Sequence, residues 1–147
     1  SFSYVIQDKD GISYVIEASP RNVAVRQSNV CTNHFHMLHE ENRYRMEETR
    51  EREENIITKQ QSSASPYEAY KIMNHLDQGI ASTKYDASAG TLHTSMYLPK
   101  EQKALFALGL DRQPVVFDFK KWLSGDNFNI TKLKGTLESD KPFVNME

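Results

Sequence analysis

Alternating apolar and polar residues dominate the first 32 positions and predict an antiparallel meander of short strands. Aromatic and β-branched residues mark strands over residues 3–8 and 12–18. Between them, Lys9-Asp10-Gly11 is typical of a hairpin turn, because glycine tolerates positive φ and aspartate caps turns with its side chain. Shorter strands are predicted over residues 23–26 and 30–32.

The middle of the chain changes to a helical pattern. Residues 40–61 contain seven acidic and five basic residues with no glycine or proline, and acid-first pairs four residues apart favour a helix with a solvated charged face. Ser65-Pro66, followed by Glu68, predicts the start of a second helix that stops near Gly79.

A β pattern returns after residue 90. Strands are predicted over residues 91–98, 103–110 and 114–117, followed by a short helix over 119–123 that Asp118 caps. The order of strands, two helices and strands predicts an α+β fold with an antiparallel sheet. The length of 147 residues predicts one domain, residues 1–147.

Composition excludes several classes of protein. With 38% hydrophobic residues, the chain is too apolar to be disordered, and it has no apolar run that spans a bilayer. A net charge of −2 argues against a general nucleic-acid partner. The lone Cys31 excludes an internal disulfide and fits a cytoplasmic location.

The polar triplet after the fourth predicted strand is the most distinctive candidate for chemistry. Asn33 follows Thr32 at the strand end, where an amide NH₂ can donate to a developing oxyanion. The same asparagine can simply close a turn. His34, His36 and His39 have H-x-H-x-x-H spacing, and imidazole is a good zinc ligand, so a zinc-dependent hydrolase is an alternative. Leu38 stands where the related H-x-H-x-D-H zinc motif has aspartate, and a metal site is therefore not expected.

The series DKDGISYVIEASPRNVAVRQSNVCTNHF resembles part of the superfamily that contains choloylglycine hydrolase and acyl-coenzyme A:isopenicillin N acyltransferase. The shared features are a D-x-x-G hairpin, a strand ending in an acidic residue, a turn, and a strand running into T-N. The T-N-H-F form resembles the acyltransferase branch, and SPYEAYKIMNHL with GTLHTSMYLP resembles the later helix and strand.

The resemblance implies half of an αββα sandwich and an N-terminal-nucleophile amidase or acyltransferase that acts on linear amides without a cofactor. It makes Asn33 the oxyanion donor and Arg43 a residue that orients the nucleophile or the substrate carbonyl. Thr32, His34 and Phe35 are expected to border a small-molecule amide substrate.

The nucleophile of this superfamily is an N-terminal cysteine well upstream of the T-N motif. Ser1 lies too close to Asn33 for that layout, and Cys31 lies inside a predicted strand. The chain is therefore expected to be the C-terminal part of such an enzyme and to be inactive alone. Its expected partner is the N-terminal half, or a second copy that covers exposed sheet edges. A non-catalytic binding module stays open.

Overall fold

The computed structural model describes residues 2–8, 10–42, 47–62, 65–85, 90–135 and 137. Residues 1–61 and residues 62–147 form two separate compact units. The first unit carries the T-N motif, and the second carries the later helix and strands.

Three antiparallel strands form the sheet of the first unit. They are β1 (Phe2–Gln7), β2 (Ser13–Ala18) and β3 (Val23–Gln27), in the order β1-β2-β3. The predicted hairpin turn is confirmed: the Asp8 side chain accepts the Ile12 N–H at 2.8 Å, and Gly11 has φ of +89°. The first three predicted strands are therefore confirmed to within about one residue.

The two faces of this sheet differ in what covers them. Val15 and Glu17 on one face are buried at 0% and 1% exposure. The other face carries apolar side chains that remain solvent exposed; they are Phe2, Tyr4, Ile6, Val23 and Val25. We call this set the apolar sheet face. Its alternation with the buried face follows from the two-residue period of a strand.

The fourth predicted strand, over residues 30–32, is wrong. This stretch lies outside any strand, because side chains rather than a neighbouring strand take its backbone hydrogen bonds. A 3₁₀ turn, His39–Glu41, follows, and helix α1 spans Glu47–Gln60. A helix is thus confirmed within the predicted stretch 40–61, with residues 40–42 outside it and residues 43–46 outside the described residues. Its charged run is also not wholly solvated, since Thr49 and Glu53 are buried.

The second unit begins with helix α2 (Pro66–Asn74). The predicted cap is confirmed, because Ser65 Oγ accepts the Glu68 N–H at 3.2 Å. A 3₁₀ turn, Leu76–Gln78, ends at Gly79, whose φ is +67°. Glycine adopts this left-handed conformation without a Cβ clash.

The second sheet has three antiparallel strands in the order β4-β5-β6. These are β4 (His93–Leu98), β5 (Lys103–Leu108) and β6 (Val115–Asp118), and helix α3 (Phe119–Leu123) follows with Asp118 as its cap. Tyr70, Leu105 and Ala107 form the core of this unit with Met96 packed against it. The predicted strands and short helix are confirmed with small differences at their ends.

The chain therefore has an α+β fold with two small antiparallel sheets, consistent with part of an αββα sandwich. The single domain over residues 1–147 stays a prediction. Within the described residues, the helices are too short and too polar to cross a membrane.

Candidate active-site segment in the first unit

A buried carboxylate shapes the loop that follows the T-N motif. Glu17 accepts the backbone N–H groups of His36 at 2.8 Å, Met37 at 2.8 Å and Leu38 at 3.0 Å. Arg26 Nε donates to the same carboxylate at 3.4 Å. Burial alone raises the pKa of Glu17, but these hydrogen bonds outweigh it and lower the pKa below its ordinary value. Glu17 is thus an ionised anchor around which residues 36–38 turn.

Arg26 continues this network on the other side of the T-N motif. Its Nη2 donates to the Val30 carbonyl at 3.0 Å, and Ser28 Oγ donates to the same oxygen at 3.1 Å. These two side chains use the carbonyl that a neighbouring strand would otherwise bond. The residues that lead into Thr32 are therefore held in place by side chains, although they form no strand.

The T-N motif itself is docked onto the start of α1 through one residue. Thr32 Oγ1 donates to the Thr49 carbonyl at 2.9 Å, and the Asn33 N–H donates to Thr49 Oγ1 at 2.9 Å. Thr49 is 5% exposed. Two hydrogen bonds to one buried residue therefore hold the motif against the helix.

Asn33 has an exposed side chain whose oxygen is held in place. Arg52 Nη2 donates to Asn33 Oδ1 at 2.7 Å, the length of a charge-assisted hydrogen bond. Within the described residues, Nδ2 of Asn33 has no hydrogen-bond partner. An amide whose oxygen is fixed and whose NH₂ group faces solvent can donate to an incoming anionic oxygen.

Two histidines and a glutamate meet beside the motif. Glu53 Oε2 lies 3.1 Å from His34 Nε2 and 2.8 Å from His36 Nε2, and its Oε1 lies 3.6 Å from Arg26 Nη2. His34 is buried, and this burial lowers its pKa, although the charge of Glu53 acts in the opposite direction. The contacts of His34 and His36 with Glu53 therefore link the loop to α1, in addition to the hydrogen bonds of Thr49.

The residues predicted to border the substrate are engaged inside the unit. Thr32 and His34 belong to the network above, and Phe35 is 6% exposed. The Phe35 N–H donates to Asn42 Oδ1 at 2.6 Å, and Asn42 Nδ2 donates to the Phe35 carbonyl at 2.8 Å. Contact of Thr32, His34 and Phe35 with substrate stays a prediction.

The other predicted residues are placed as follows. Arg43 lies outside the described residues, so its role stays a prediction. Cys31 is half-buried, and burial raises the pKa of its thiol, with the charge of nearby Arg26 acting in the opposite direction. His39 lies in the 3₁₀ turn and is not in the group formed by His34, His36 and Glu53.

Sequence reasoning missed the residues that hold the motif in place. Glu17, an acidic residue on the same strand face as Val15, is one sequence clue. The spacing of Thr49 and Glu53, four apart on one helical face, is another. Neither pattern identifies its partner, because the partners come from distant parts of the chain.

Comparison with known families supports the resemblance. The family model described as "Acyl-coenzyme A:6-aminopenicillanic acid acyl-transferase" matches residues 1–113. No curated protein and no solved structure gives a significant match. The match covers most of the chain and includes every residue of the Glu17, Asn33 and Glu53 network. The chain belongs to the acyl-coenzyme A:6-aminopenicillanic acid acyl-transferase family, within the choloylglycine hydrolase and N-terminal-nucleophile superfamily.

Proposed function

We propose that this chain supplies the oxyanion-binding amide of a linear-amide C–N hydrolase or acyltransferase, with Asn33 as the donor. Acyl transfer builds negative charge on the carbonyl oxygen of the substrate, and a preorganised donor stabilises that charge. The observation that carries the proposal is the arrangement of Asn33: Arg52 holds its oxygen at 2.7 Å, while its exposed NH₂ group has no hydrogen-bond partner among the described residues. Family membership supports acyl transfer as the reaction class.

The nucleophile in this proposal is a cysteine upstream of the chain. Cys31 is a poor alternative, because burial raises the pKa of its thiol and so reduces the thiolate that attacks a carbonyl. An N-terminal cysteine provides both the sulfur and an α-amine that acts as general base. No cofactor is needed for this chemistry, and the chain alone is expected to be inactive.

The expected partner is the N-terminal half of the enzyme, and the apolar sheet face offers a surface for it. Phe2 and Val23 on this face are 67% and 69% exposed. Apolar side chains grouped on one face commonly mark an interaction surface. A partner covering this face would remove apolar area from water. A homo-oligomer that covers the same face is the competing outcome.

The proposal is tested with the chain joined to its native upstream sequence. We expect release of free amine from N-acyl amides and a mass increase of one acyl group on a processed N-terminal cysteine. The 147-residue chain alone is the matched control and should release no amine. A processed protein that lacks an N-terminal cysteine would contradict the proposal. A full-length protein with that cysteine but no activity on any acyl amide would favour a non-catalytic binding module.

A further inference from the structure

We propose that His34, His36 and Glu53 form a binding site for a divalent transition-metal ion, for which zinc is the best chemical match. Each residue offers one ligand atom, and these atoms lie within 4.8 Å of one another. Two imidazole nitrogens with one carboxylate oxygen form a common zinc ligand set that leaves a fourth position open. This set shares two histidines with the H-x-H-x-x-H motif but replaces His39 by a residue of helix α1.

The ligand atoms lie slightly closer together than a bound zinc ion requires. Tetrahedral zinc with bonds of about 2.0–2.2 Å requires ligand atoms about 3.3–3.6 Å apart. Glu53 Oε2 now lies 3.1 Å from His34 Nε2 and 2.8 Å from His36 Nε2. Rotation of the exposed His36 ring would lengthen its distance to Glu53, and the distance between the buried His34 and Glu53 would also have to lengthen slightly. The backbone of the loop can stay where Glu17 holds it.

The hydrogen bonds of His34 at Nδ1 are compatible with Nε2 acting as a metal ligand. Thr32 Oγ1 gives its hydrogen to the Thr49 carbonyl at 2.9 Å and can accept from His34 Nδ1 at 3.0 Å, and Thr49 Oγ1 lies 3.3 Å from the same nitrogen. When the hydrogen of the neutral ring is on Nδ1, it is donated to Thr32 Oγ1 and a lone pair remains on Nε2. That lone pair faces a carboxylate oxygen, an arrangement that a cation between them stabilises. Ligating histidines usually have such an oxygen partner on the other ring nitrogen.

The charges around the group limit how tightly it can hold a cation. Glu17 and Glu53 are two carboxylates, and Arg26 is one guanidinium that contacts both, at 3.4 Å and 3.6 Å. The charge of Arg50 also acts on His34, so with neutral imidazoles the two carboxylates and two guanidinium groups balance, and a bound cation adds net positive charge. Arg26 competes for Glu53 and is expected to limit the affinity rather than abolish binding.

The test is zinc and cobalt titration of the untagged 147-residue chain after removal of metal with a chelator. We expect one ion per chain and tetrahedral Co²⁺ absorption bands. His36→Gln should weaken binding by more than about 100-fold, because even the loss of a supporting hydrogen bond costs about 10–100-fold. Thr32→Val removes a hydrogen-bond partner of His34 Nδ1 and should weaken zinc binding by about 10–100-fold. Glu53→Gln should also lose the bands, and circular dichroism shows whether it folds.

Matched histidine variants make the result decisive. His39→Gln and His93→Gln should bind zinc as the unmodified chain does, since neither belongs to the group. The proposal is overturned if no stoichiometric ion binds, or if His36→Gln binds as tightly as the unmodified chain. Loss of binding in His39→Gln would also overturn it and would favour the H-x-H-x-x-H ligand set. If Glu53→Gln does not fold, His36→Gln decides, because that side chain is 42% exposed.

Discussion

At the scale of single residues, the proposed chemistry depends on how firmly one amide group is held. Asn33 is fixed at its backbone N–H by Thr49 and at its side-chain oxygen by Arg52. A donor fixed before the reaction needs no reorganisation when charge develops. In the proposed reaction, Arg52 is therefore a positioning residue that acts through Asn33.

Replacing Arg52 by alanine in the full-length enzyme should lower kcat by about 10-fold or more with little change in KM, since one charge-assisted hydrogen bond contributes about 1.5–3 kcal/mol. Steady-state kinetics measure this. Arg50→Ala, an exposed change on the same helix, is the control and should leave kcat unchanged. The double variant with Asn33→Ala should be no slower than Asn33→Ala alone. Additive losses in that double variant would contradict the positioning role.

The thiol of Cys31 should react slowly in the folded chain. Burial raises the pKa of this thiol, with Glu53 and Glu17 adding to the effect and Arg26 opposing it. The reactive thiolate therefore forms only at a higher pH than in a free cysteine, whose pKa is about 8.5. Alkylation by iodoacetamide, followed by mass spectrometry from pH 7 to pH 10, should be slower in buffer than in urea. Equal rates in the two conditions would show that the thiol is not protected.

At the scale of elements, the first unit is organised by a buried polar network as well as by an apolar core. Val15, Val30 and Phe35 are buried apolar residues, but Glu17 and Glu53 are buried with them. Each buried carboxylate has charged or backbone hydrogen-bond partners, as burial requires. Loss of one partner leaves buried polar groups without hydrogen bonds, so a single substitution should lower the stability of the whole unit.

Glu17→Gln should therefore destabilise the chain by about 3 kcal/mol or more, because it removes one partner of a buried ion pair and places an NH₂ group against backbone N–H donors. Urea unfolding followed by circular dichroism measures the change. Glu51→Gln on the exposed face of α1 is the matched control and should change stability by less than about 0.5 kcal/mol. Similar stability of the two variants would contradict the anchor role of Glu17.

The regular elements could be predicted from sequence because their patterns are local. Period-two alternation placed β1 and β2, and the Ser65-Pro66 cap placed α2. The segment at residues 30–32 was wrongly predicted as a strand, because valine and threonine favour strands. Its backbone is instead bonded by Arg26 and Ser28. Such side-chain bonds depend on tertiary structure, which no local pattern encodes.

At the scale of the whole molecule, the proposed chemistry uses a nucleophile from an upstream segment. Asn33 was predicted from the T-N motif, whereas its supports Thr49 and Arg52 lie 16 and 19 residues away along the chain. The apolar sheet face is the surface on which we expect the upstream half to pack. The cytoplasmic location also remains a prediction.

Val25→Lys should weaken association with the separately produced upstream half by at least about 10-fold, because a charged amine at a desolvated contact costs more than about 1.4 kcal/mol. Its effect on the stability of the chain alone should be below about 0.5 kcal/mol, since Val25 is 56% exposed. Val116→Lys, at 51% exposure in the other sheet, is the control. Isothermal titration measures both. Equal affinities for the two variants would exclude this face as the contact.

The most direct test of the central claim is kcat of full-length Asn33→Ala on an N-acyl amide substrate. We predict a loss of about 10²–10³-fold with little change in KM, the size expected for one oxyanion donor. Asn29→Ala, an exposed asparagine four residues earlier, should retain full activity. An Asn33→Ala enzyme that is folded and keeps kcat within about threefold of the unmodified enzyme would contradict the assignment of Asn33 as the oxyanion donor.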